Sequence, residues 1–414
     1  MLTASIDFGT TNSVAGLNNQ GEIQMVPLGK DRLETKSVLF YSFEDKNFYV
    51  GDDAIEELEM ETMGRYLVAL KSFLGSEEEI ETTLGTTTYT LSDLISIILR
   101  RFKGAIEQQA QQPVEHLVLG RPVHFNDTDI ILDQQAQDRL ERAALQAGFK
   151  EVVFEYEPIA ASLAYEEKIN QEELILVADI GGGTTDYTIV RVGTQRHNNR
   201  KEDILATHGT YIGGNSFDSQ IIKNFIIPHL GYQTPYTNMG KSMQIGPALY
   251  GDFSEWHKFQ KMYDPQIIHA IEKLIQMAQD PIPIGRLLEM IKEGLYFPFS
   301  QKIIQSKMEL SNAPLSQLNM DIFEHPFKLE LSENAFNQII QEEVYKIRKT
   351  LDETLKQAGV HYQDIDRVFL TGGSTLVPAV RNIYASLFSE EKLIHTDVLS
   401  SVGYGLAIAA GRVW

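Results

Sequence analysis

The stretch ASIDFGTTNSVA at residues 4–15 decides the fold class, because it predicts a strand, a tight glycine turn and a second strand. The stretch LILVADIGGGTTDYTIV at residues 174–190 repeats this pattern. Each copy carries an aspartate, Asp7 or Asp179, at the end of its first strand. The two aspartates lie about 170 residues apart, which is too long a period for a solenoid repeat. The repeat therefore predicts two similar lobes, each beginning with this hairpin.

Strands and helices alternate between the two hairpins. The pattern predicts helices at residues 91–112 and 133–148, strands at 116–120 and 152–154, and a helix at 158–168. This alternation predicts an α/β fold.

The second half adds a segment at residues 231–301 that we interpret as an enlarged helical subdomain. A strand at 367–370 and a helix at 378–387 follow, and a helix rich in small residues is predicted at 402–412. We expect lobe I to comprise residues 1–172 plus 398–414, and lobe II to comprise residues 173–397.

Composition excludes several functional classes. The chain has 414 residues, 43% of them hydrophobic, and a net charge of −21, which repels nucleic acid and anionic membrane. It contains no cysteine, so disulfides, thiolate chemistry and cysteine-based zinc sites are excluded. Neither a stretch of roughly 20 apolar residues nor a leader pattern is present, so we expect a cytoplasmic protein.

Both hairpin turns suit a phosphate chain. Glycine lets backbone N–H groups approach closely and threonine adds hydroxyls, as in Gly9-Thr10-Thr11-Asn12 and Gly181-Gly182-Gly183-Thr184. Aspartates beside a polyanion imply a cation, and Mg²⁺ held partly through its waters fits them. The alternative is two ordinary β-hairpins with glycine turns.

Two further glycine motifs occur. Gly372-Gly373-Ser374 follows a strand and opens a helix, which suits contact with a nucleoside or phosphate. Gly240-Lys241-Ser242 is similar to the end of a P-loop. However, Pro235 stands where that motif needs its first glycine, and we expect no strand before it.

Four segments carry a family resemblance: residues 6–13, 156–165, 177–186 and 370–378. Together they resemble the nucleotide-binding domain of the 70-kDa heat-shock (DnaK-type) chaperones, and within that family the short, YegD-like members. The resemblance implies a two-lobed actin-like ATPase fold, with duplicated ribonuclease-H-like domains and an ATP cleft between them. It also implies ATP or ADP and Mg²⁺ as ligands, and it is compatible with K⁺ as an additional ion.

The resemblance implies roles for individual residues at the phosphate end. Asp7 and Asp179 would hold the metal, and Asp186 would lie near the metal and the attacking water. Thr10 and Thr184 would lie near the γ-phosphate. Glu157 would orient or activate the water, and Lys71 would neutralise charge on the transferring phosphoryl group.

The adenosine end is matched by a second set of residues. The positions implied around the ribose and adenine are Gly213, Gly214, Lys307, Ser311, Gly372, Gly373 and Ser374.

Departures from the family pattern are concentrated at the adenine end. Leu376 stands where the family has an arginine that stacks on adenine. Ile304 and Met308 interrupt the adenine-contacting helix, so we expect lower adenine affinity or apolar contact with the base. Phe125-Asn126-Asp127 keeps a family segment but lacks the Gln-Arg that usually follows it, and no peptide-binding domain is expected after Trp414.

Several functions are compatible with these features. The first is a chaperone-like ATPase that hydrolyses ATP slowly and acts as a nucleotide switch, read by a protein client or co-chaperone at the lobe surfaces. An actin-like filament or binding module and a small-molecule kinase are alternatives, because the fold hosts all of them. A protein that binds nucleotide without hydrolysing it is a further alternative.

Overall fold

The computed structural model describes residues 2–30, 32–60, 62–126, 129–166, 169–193, 200–251, 259–395 and 398–413. The chain forms two compact units. The first comprises Met1–Tyr211, Arg348–Thr375 and Ile383–Trp414, and the second comprises Ile212–Ile347 and Leu376–Asn382. Asp127 of the predicted Phe-Asn-Asp segment lies outside the described residues.

The first hairpin forms the centre of a six-stranded sheet in the first unit. The order is β11-β10-β1-β2-β3, and β4 also pairs with β2. β1 is antiparallel to β2 and parallel to β10, so Asp7 lies opposite Val14. The six strands are β1 (Leu2–Phe8), β2 (Asn12–Asn19), β3 (Glu22–Val26), β4 (Glu34–Lys36), β10 (His116–Arg121) and β11 (Glu151–Tyr156).

The second hairpin forms the centre of a five-stranded sheet in the same unit, with the order β14-β13-β12-β19-β20. Its central strand β12 is antiparallel to β13 and parallel to β19, as β1 is to β2 and β10. The same topology thus occurs twice, which confirms the predicted duplication. The five strands are β12 (Glu173–Ile180), β13 (Thr185–Val192), β14 (Ile204–Thr210), β19 (Arg367–Thr371) and β20 (Leu393–His395).

Smaller strands complete the first unit. One sheet has the order β6-β5-β7, and β8 pairs with β9. These strands are β5 (Leu39–Ser42), β6 (Phe48–Val50), β7 (Gly64–Leu67), β8 (Glu81–Leu84) and β9 (Thr87–Thr90).

Helices of the first unit pack on these sheets. They are α1 (Asp52–Glu59), α2 (Leu91–Ala110), α3 (Ile130–Gln146), α4 (Glu157–Glu166) and α12 (Val398–Val413). α10 (Gln341–Ala358) and α11 (Pro378–Ala385) each have residues in both units.

The small residues of α12 allow the close packing that the sequence predicts. A Cβ added at Gly405 would overlap the Ala160 carbonyl of α4. On its other side, the Ala407 carbonyl accepts a hydrogen bond from Asn18 Nδ2 at 2.8 Å. α12 therefore contacts both the first sheet and α4 at backbone distance.

The second unit is mainly helical, as predicted, with two β-hairpins. Its helices are α5 (Gly214–Ile221), α6 (Pro265–Met277), α7 (Pro281–Lys292), α8 (Tyr296–Leu310) and α9 (Glu333–Ile339). Its hairpins are β15 (Pro235–Asn238) with β16 (Lys241–Gln244), and β17 (Leu315–Met320) with β18 (Phe327–Ser332).

The Gly240-Lys241-Ser242 motif lies in the first of these hairpins. β15 begins at Pro235, the position of the motif's first glycine, so within the described residues no strand directly precedes the motif, as expected. Met239 and Gly240 both have positive φ, at 50° and 76°, as a two-residue hairpin turn requires. The motif opens a strand rather than a helix, so it is not a P-loop.

Helix starts differ most from the predicted bounds. α3 begins at Ile130 rather than at residue 133, because the Asp129 carboxylate accepts hydrogen bonds from the N–H groups of Ile131 and Leu132 at 2.8 and 3.2 Å. An aspartate also caps α7, which begins at Pro281, because the Asp280 carboxylate accepts a hydrogen bond from Ile282 N at 3.1 Å. Within the described ranges, no helix has the length and apolar character needed to cross a membrane.

Candidate active site

A buried ion pair joins Lys71 and Glu157 in the first unit. Lys71 Nζ donates to Glu157 Oε1 at 2.6 Å, and the two side chains are 10% and 15% exposed. Lys71 lies in the helical turn Leu70–Phe73, and Glu157 is the first residue of α4, directly after β11. The chain therefore brings two predicted catalytic residues into contact over a separation of 86 residues.

The carboxyl groups of Asp7 and Asp179, one from each hairpin, lie near this ion pair. Burial, followed by the charge of Glu157, raises the pKa of Asp7 from 3.8 to about 7, although Lys71 lowers it. Burial and then Glu157 also raise the pKa of Asp179. Burial alone would lower the pKa of Lys71, but the charges of Glu157, Asp7 and Asp179 outweigh it and raise that pKa.

The net charge of this cluster bears on metal binding. Three carboxylates face one ammonium group, so the ionised cluster has excess negative charge in a buried place. A cation would relieve this repulsion, and carboxylate oxygens suit Mg²⁺. The described residues include no group of three or more His, Asp or Glu placed as a metal-ligand cluster. Asp7 and Asp179 fit the usual mode, in which Mg²⁺ takes one or two carboxylates and completes its shell with water and phosphate oxygens.

Asp186 lies next to Asp179 in the second hairpin. The two residues are paired in register across β12 and β13, and Asp179 also pairs with Thr371 of β19. The Thr371 hydroxyl hydrogen-bonds the Asp179 carboxylate and partly offsets its raised pKa.

A small cavity connects these carboxylates with Glu157. Its volume is about 30 Å³, enough for about two water molecules. Four lining side chains can exchange protons with water: His124, Glu157, Asp179 and Asp186. A water molecule in this cavity would be within reach of a carboxylate base.

The third glycine motif contacts the turn of the second hairpin. Ser374 Oγ donates to the Gly181 carbonyl at 2.8 Å. Gly372 has φ of 84°, and a Cβ there would overlap the Ile180 backbone, so glycine is required at this position. Gly181, Gly182, Gly183 and Thr184 in this turn are half-buried, and Gly373 is exposed.

A hydrogen bond from Ser37, the residue after β4, holds the turn of the first hairpin. The Thr11 carbonyl accepts a hydrogen bond from Ser37 N at 2.8 Å. Thr11 is exposed, and Gly9, Thr10 and Asn12 are half-buried. The turn is therefore accessible to a ligand from solvent.

Four of the residues predicted around the ribose and adenine lie in the second unit: Gly213, Gly214, Lys307 and Ser311. Gly372, Gly373 and Ser374 belong to the first unit. Lys307 Nζ donates to the Gly214 carbonyl at 3.0 Å and to Asp218 Oδ2 at 2.8 Å. Gly213 caps α5, whose first residue is Gly214, and Ser311 Oγ donates to the Lys307 carbonyl at 3.2 Å. Lys307, Ser311 and the Gly-Gly pair thus form one local group.

Sequence reasoning missed Thr371 and Asp218, which contact predicted residues, and Arg121, which contacts Tyr156 next to Glu157. Thr371 ends a strand just before a glycine turn, which is a position that places a side chain at a sheet edge. Asp218 lies four residues after Gly214 on one helix face. Arg121 ends an otherwise apolar strand before Pro122, which marks it as a buried charge that needs partners.

Comparison of the sequence with known proteins identifies a family. The sequence profile described as "Hsp70 protein" matches residues 68–234 and 291–413. These ranges include Lys71, Glu157 and the second hairpin.

Individual relatives cover nearly the whole chain. The chain is 25% identical to the chaperone protein DnaK of Thermosipho melanesiensis over 408 residues, which cover 98% of this chain and 58% of that protein. It is 26% identical to the chaperone protein dnaK of Cyanidioschyzon merolae over 435 aligned residues, covering 98% of this chain and 61% of that protein. The chain spans about three fifths of the length of these curated relatives. The chain belongs to the Hsp70 family and has its actin-like ATPase fold.

Proposed function

We propose that this protein binds ATP with Mg²⁺ and slowly hydrolyses it to ADP and phosphate. The observation that carries the proposal is the buried Lys71–Glu157 ion pair beside Asp7 and Asp179, at the ends of two duplicated hairpins. Membership in the Hsp70 family supports an ATP-binding, chaperone-like function.

In this proposal the hairpin turns bind the phosphates. Backbone N–H groups and hydroxyls at Gly9–Asn12 and Gly181–Thr184 contact phosphate oxygens, and Gly213, Gly214, Lys307, Ser311 and Gly372–Ser374 contact the nucleoside. Asp7 and Asp179 hold the metal ion. When bound, Mg²⁺ neutralises phosphate charge and orients the γ-phosphoryl group for in-line attack.

Hydrolysis then depends on Glu157 and Lys71. Glu157 accepts a proton from the attacking water, and Asp186 helps orient that water in the adjacent cavity. Lys71 donates to the γ-phosphoryl oxygens and stabilises the charge that they gain as the β–γ bond breaks. Because Glu157 hydrogen-bonds Lys71 in the free protein, phosphate competes for Lys71 and leaves the carboxylate available to water.

The output of this cycle would be a nucleotide-dependent movement of the lobes, read by a protein client or co-chaperone. We also propose a cytoplasmic location, on the family membership alone. K⁺ is a candidate second ion, on the family resemblance alone.

The decisive experiment combines calorimetric titration with a phosphate-release assay. We expect ATP and ADP to bind, phosphate to be released slowly, and Glu157→Ala to abolish release while ATP still binds. Glu115→Gln is the matched control, because Glu115 forms an exposed ion pair with Lys150 on the same unit. No heat with either nucleotide would refute the whole proposal, and unchanged release by Glu157→Ala would refute the catalytic part.

A further inference from the structure

Arg121 ends β10 with a nearly buried side chain, of which 6% is exposed. Its Nε donates to the Pro122 carbonyl at 2.9 Å, and its Nη2 donates to the Val123 carbonyl at 3.1 Å. Nη1 donates to Gln137 Oε1 on α3. The guanidinium group therefore binds the backbone of the residues that directly follow it.

Asp133 of α3 completes this arrangement. Arg121 Nη2 donates to both Asp133 oxygens, at 3.2 and 2.9 Å, and the two side chains are 8% and 14% exposed. Asp133 Oδ1 also accepts a hydrogen bond from Phe125 N at 2.5 Å. The ion pair thus fixes both ends of the segment 122–125, which we call the switchback loop.

Two aromatic rings contact the same guanidinium group. Its central carbon lies 5.1 Å from the Phe125 ring centroid and 5.4 Å from that of Tyr156. Both distances are in the range of cation–π contacts. Tyr156 ends β11 and directly precedes Glu157, so Arg121 contacts the residue next to the proposed base.

The switchback loop also forms a wall of the water-sized cavity. Pro122, Val123 and His124 line it together with Glu157, Asp179 and Asp186. Arg121 itself does not line that cavity. It holds two of the surfaces that do: the loop, through hydrogen bonds, and the start of α4, through Tyr156.

We propose that Arg121 is a positioning residue for the hydrolytic step, acting through the switchback loop and Tyr156 to fix the water cavity against Glu157. This inference rests on the proposed ATP hydrolysis. Because Arg121 acts on the placement of water and base, its loss should lower kcat and leave ATP affinity unchanged. Lysine cannot substitute, since it lacks the planar fork that bonds two carbonyls and a carboxylate while lying on two rings.

The test compares Arg121→Lys with the wild type and with Arg142→Lys. Arg142 lies on α3 and pairs with Glu79 at the surface, so it controls for an arginine-to-lysine change in the same unit. We expect Arg121→Lys to lower kcat by up to about 100-fold, the effect of roughly 1 Å of misplacement, with an unchanged ATP dissociation constant. Equal kcat values for Arg121→Lys and Arg142→Lys would overturn the inference.

A double variant separates positioning from general destabilisation. If Arg121 acts through Glu157, then Arg121→Lys should add no further loss to the residual hydrolysis rate that remains in a Glu157→Gln background. An equal loss of kcat in both backgrounds would contradict the inference. Asp133→Asn provides a second route to the same test, because it weakens the ion pair while leaving Arg121 in place.

Hydrogen exchange keeps the inference testable if the wild type does not hydrolyse ATP. That result would refute the proposed function, but Arg121→Lys should still speed amide exchange in peptides covering residues 122–126 and 154–158. Unchanged exchange in both peptides would overturn the positioning role itself.

Discussion

Lys71 and Glu157 form an ion pair with 2.6 Å between Nζ and Oε1, and both side chains are almost fully buried. Removing Lys71 alone leaves the buried carboxylates without their cation. We therefore expect Lys71→Met to lower the free energy of unfolding by about 3–5 kcal/mol, and to lower kcat by about 100-fold or more through loss of transition-state charge stabilisation.

Urea unfolding and phosphate release measure these two effects. The double variant Lys71→Met with Glu157→Gln should regain part of the lost stability, because it removes the carboxylate charge as well, but it should stay inactive. The exposed pair Lys150–Glu115 is the control, and Lys150→Met should change stability by less than about 1 kcal/mol. A Lys71→Met variant as stable as the wild type would contradict the burial argument.

The raised pKa of Asp7 predicts a pH-dependent stability. The folded protein binds a proton at Asp7 up to about pH 7, whereas the unfolded chain releases it near pH 3.8. Stability conferred by this group is therefore present at low pH and lost as pH rises from about 4 to 7, by on the order of a few kcal/mol. Asp179 contributes in the same direction, because its pKa is also raised.

Urea denaturation from pH 4 to 8 without metal checks this prediction. Asp7→Asn should flatten the dependence, since the amide does not titrate. Saturating Mg²⁺ with nucleotide should also reduce it, because a bound cation favours the ionised carboxylate. A wild-type profile that rises over this range with the same slope as Asp7→Asn would show that Asp7 is not the titrating group.

The sequence predicted the fold well where local signals and topology agreed. The glycine turns after Asp7 and Asp179 fixed two hairpins, and both are the centres of sheets with one shared topology. The start of α3 was less predictable, because the capping side chain of Asp129 decides it rather than the apolar pattern.

The candidate site shows the same limit. A family motif could point to Lys71 and Glu157 separately, but their contact spans 86 residues and depends on tertiary packing. Arg121 and Asp218 gave no motif signal, because their importance lies in partners that only the folded chain brings near: Asp133 and Tyr156 for Arg121, and Lys307 for Asp218.

The missing side chain of Gly405 allows α12 to pack closely against α4. A methyl group there would overlap the Ala160 carbonyl, so we expect Gly405→Ala to lower the free energy of unfolding by about 1–3 kcal/mol. Gly285→Ala in α7 is the matched control, since nothing lies within 4 Å of the added carbon. That change should be neutral or stabilising, by up to about 1 kcal/mol. Equal thermal shifts for the two variants would contradict the packing argument.

Asp218 holds the Lys307 ammonium group, and we expect this contact to affect ATP binding. The carboxylate is buried, and burial raises its pKa although Lys307 opposes that shift. Asp218→Asn should loosen Lys307 and weaken ATP binding by about tenfold, the loss of one charge-assisted hydrogen bond, while kcat at saturating ATP stays close to wild type. Lys302→Met is the control. Lys302 lies on the same helix as Lys307, and its ion pair with Asp321 is more exposed than the pair of Lys307 with Asp218. Calorimetry that finds the same affinity in both variants would rule out this role.

Leu376 offers a test of the altered adenine end by gain of function. It is 56% exposed, and Met308 on α8 is 62% exposed, so both are apolar side chains at positions where solvent or a ligand can reach them. The family resemblance places an adenine-stacking arginine at position 376. Leu376→Arg should therefore tighten ATP binding by about 5- to 10-fold through a cation–π contact with the base. Met239→Arg adds the same charge at a residue that is 98% exposed on the β15–β16 turn, and it controls for a general gain of positive charge on an acidic protein. If both arginine variants tighten ATP binding equally, the gain comes from net charge, and position 376 does not contact the base.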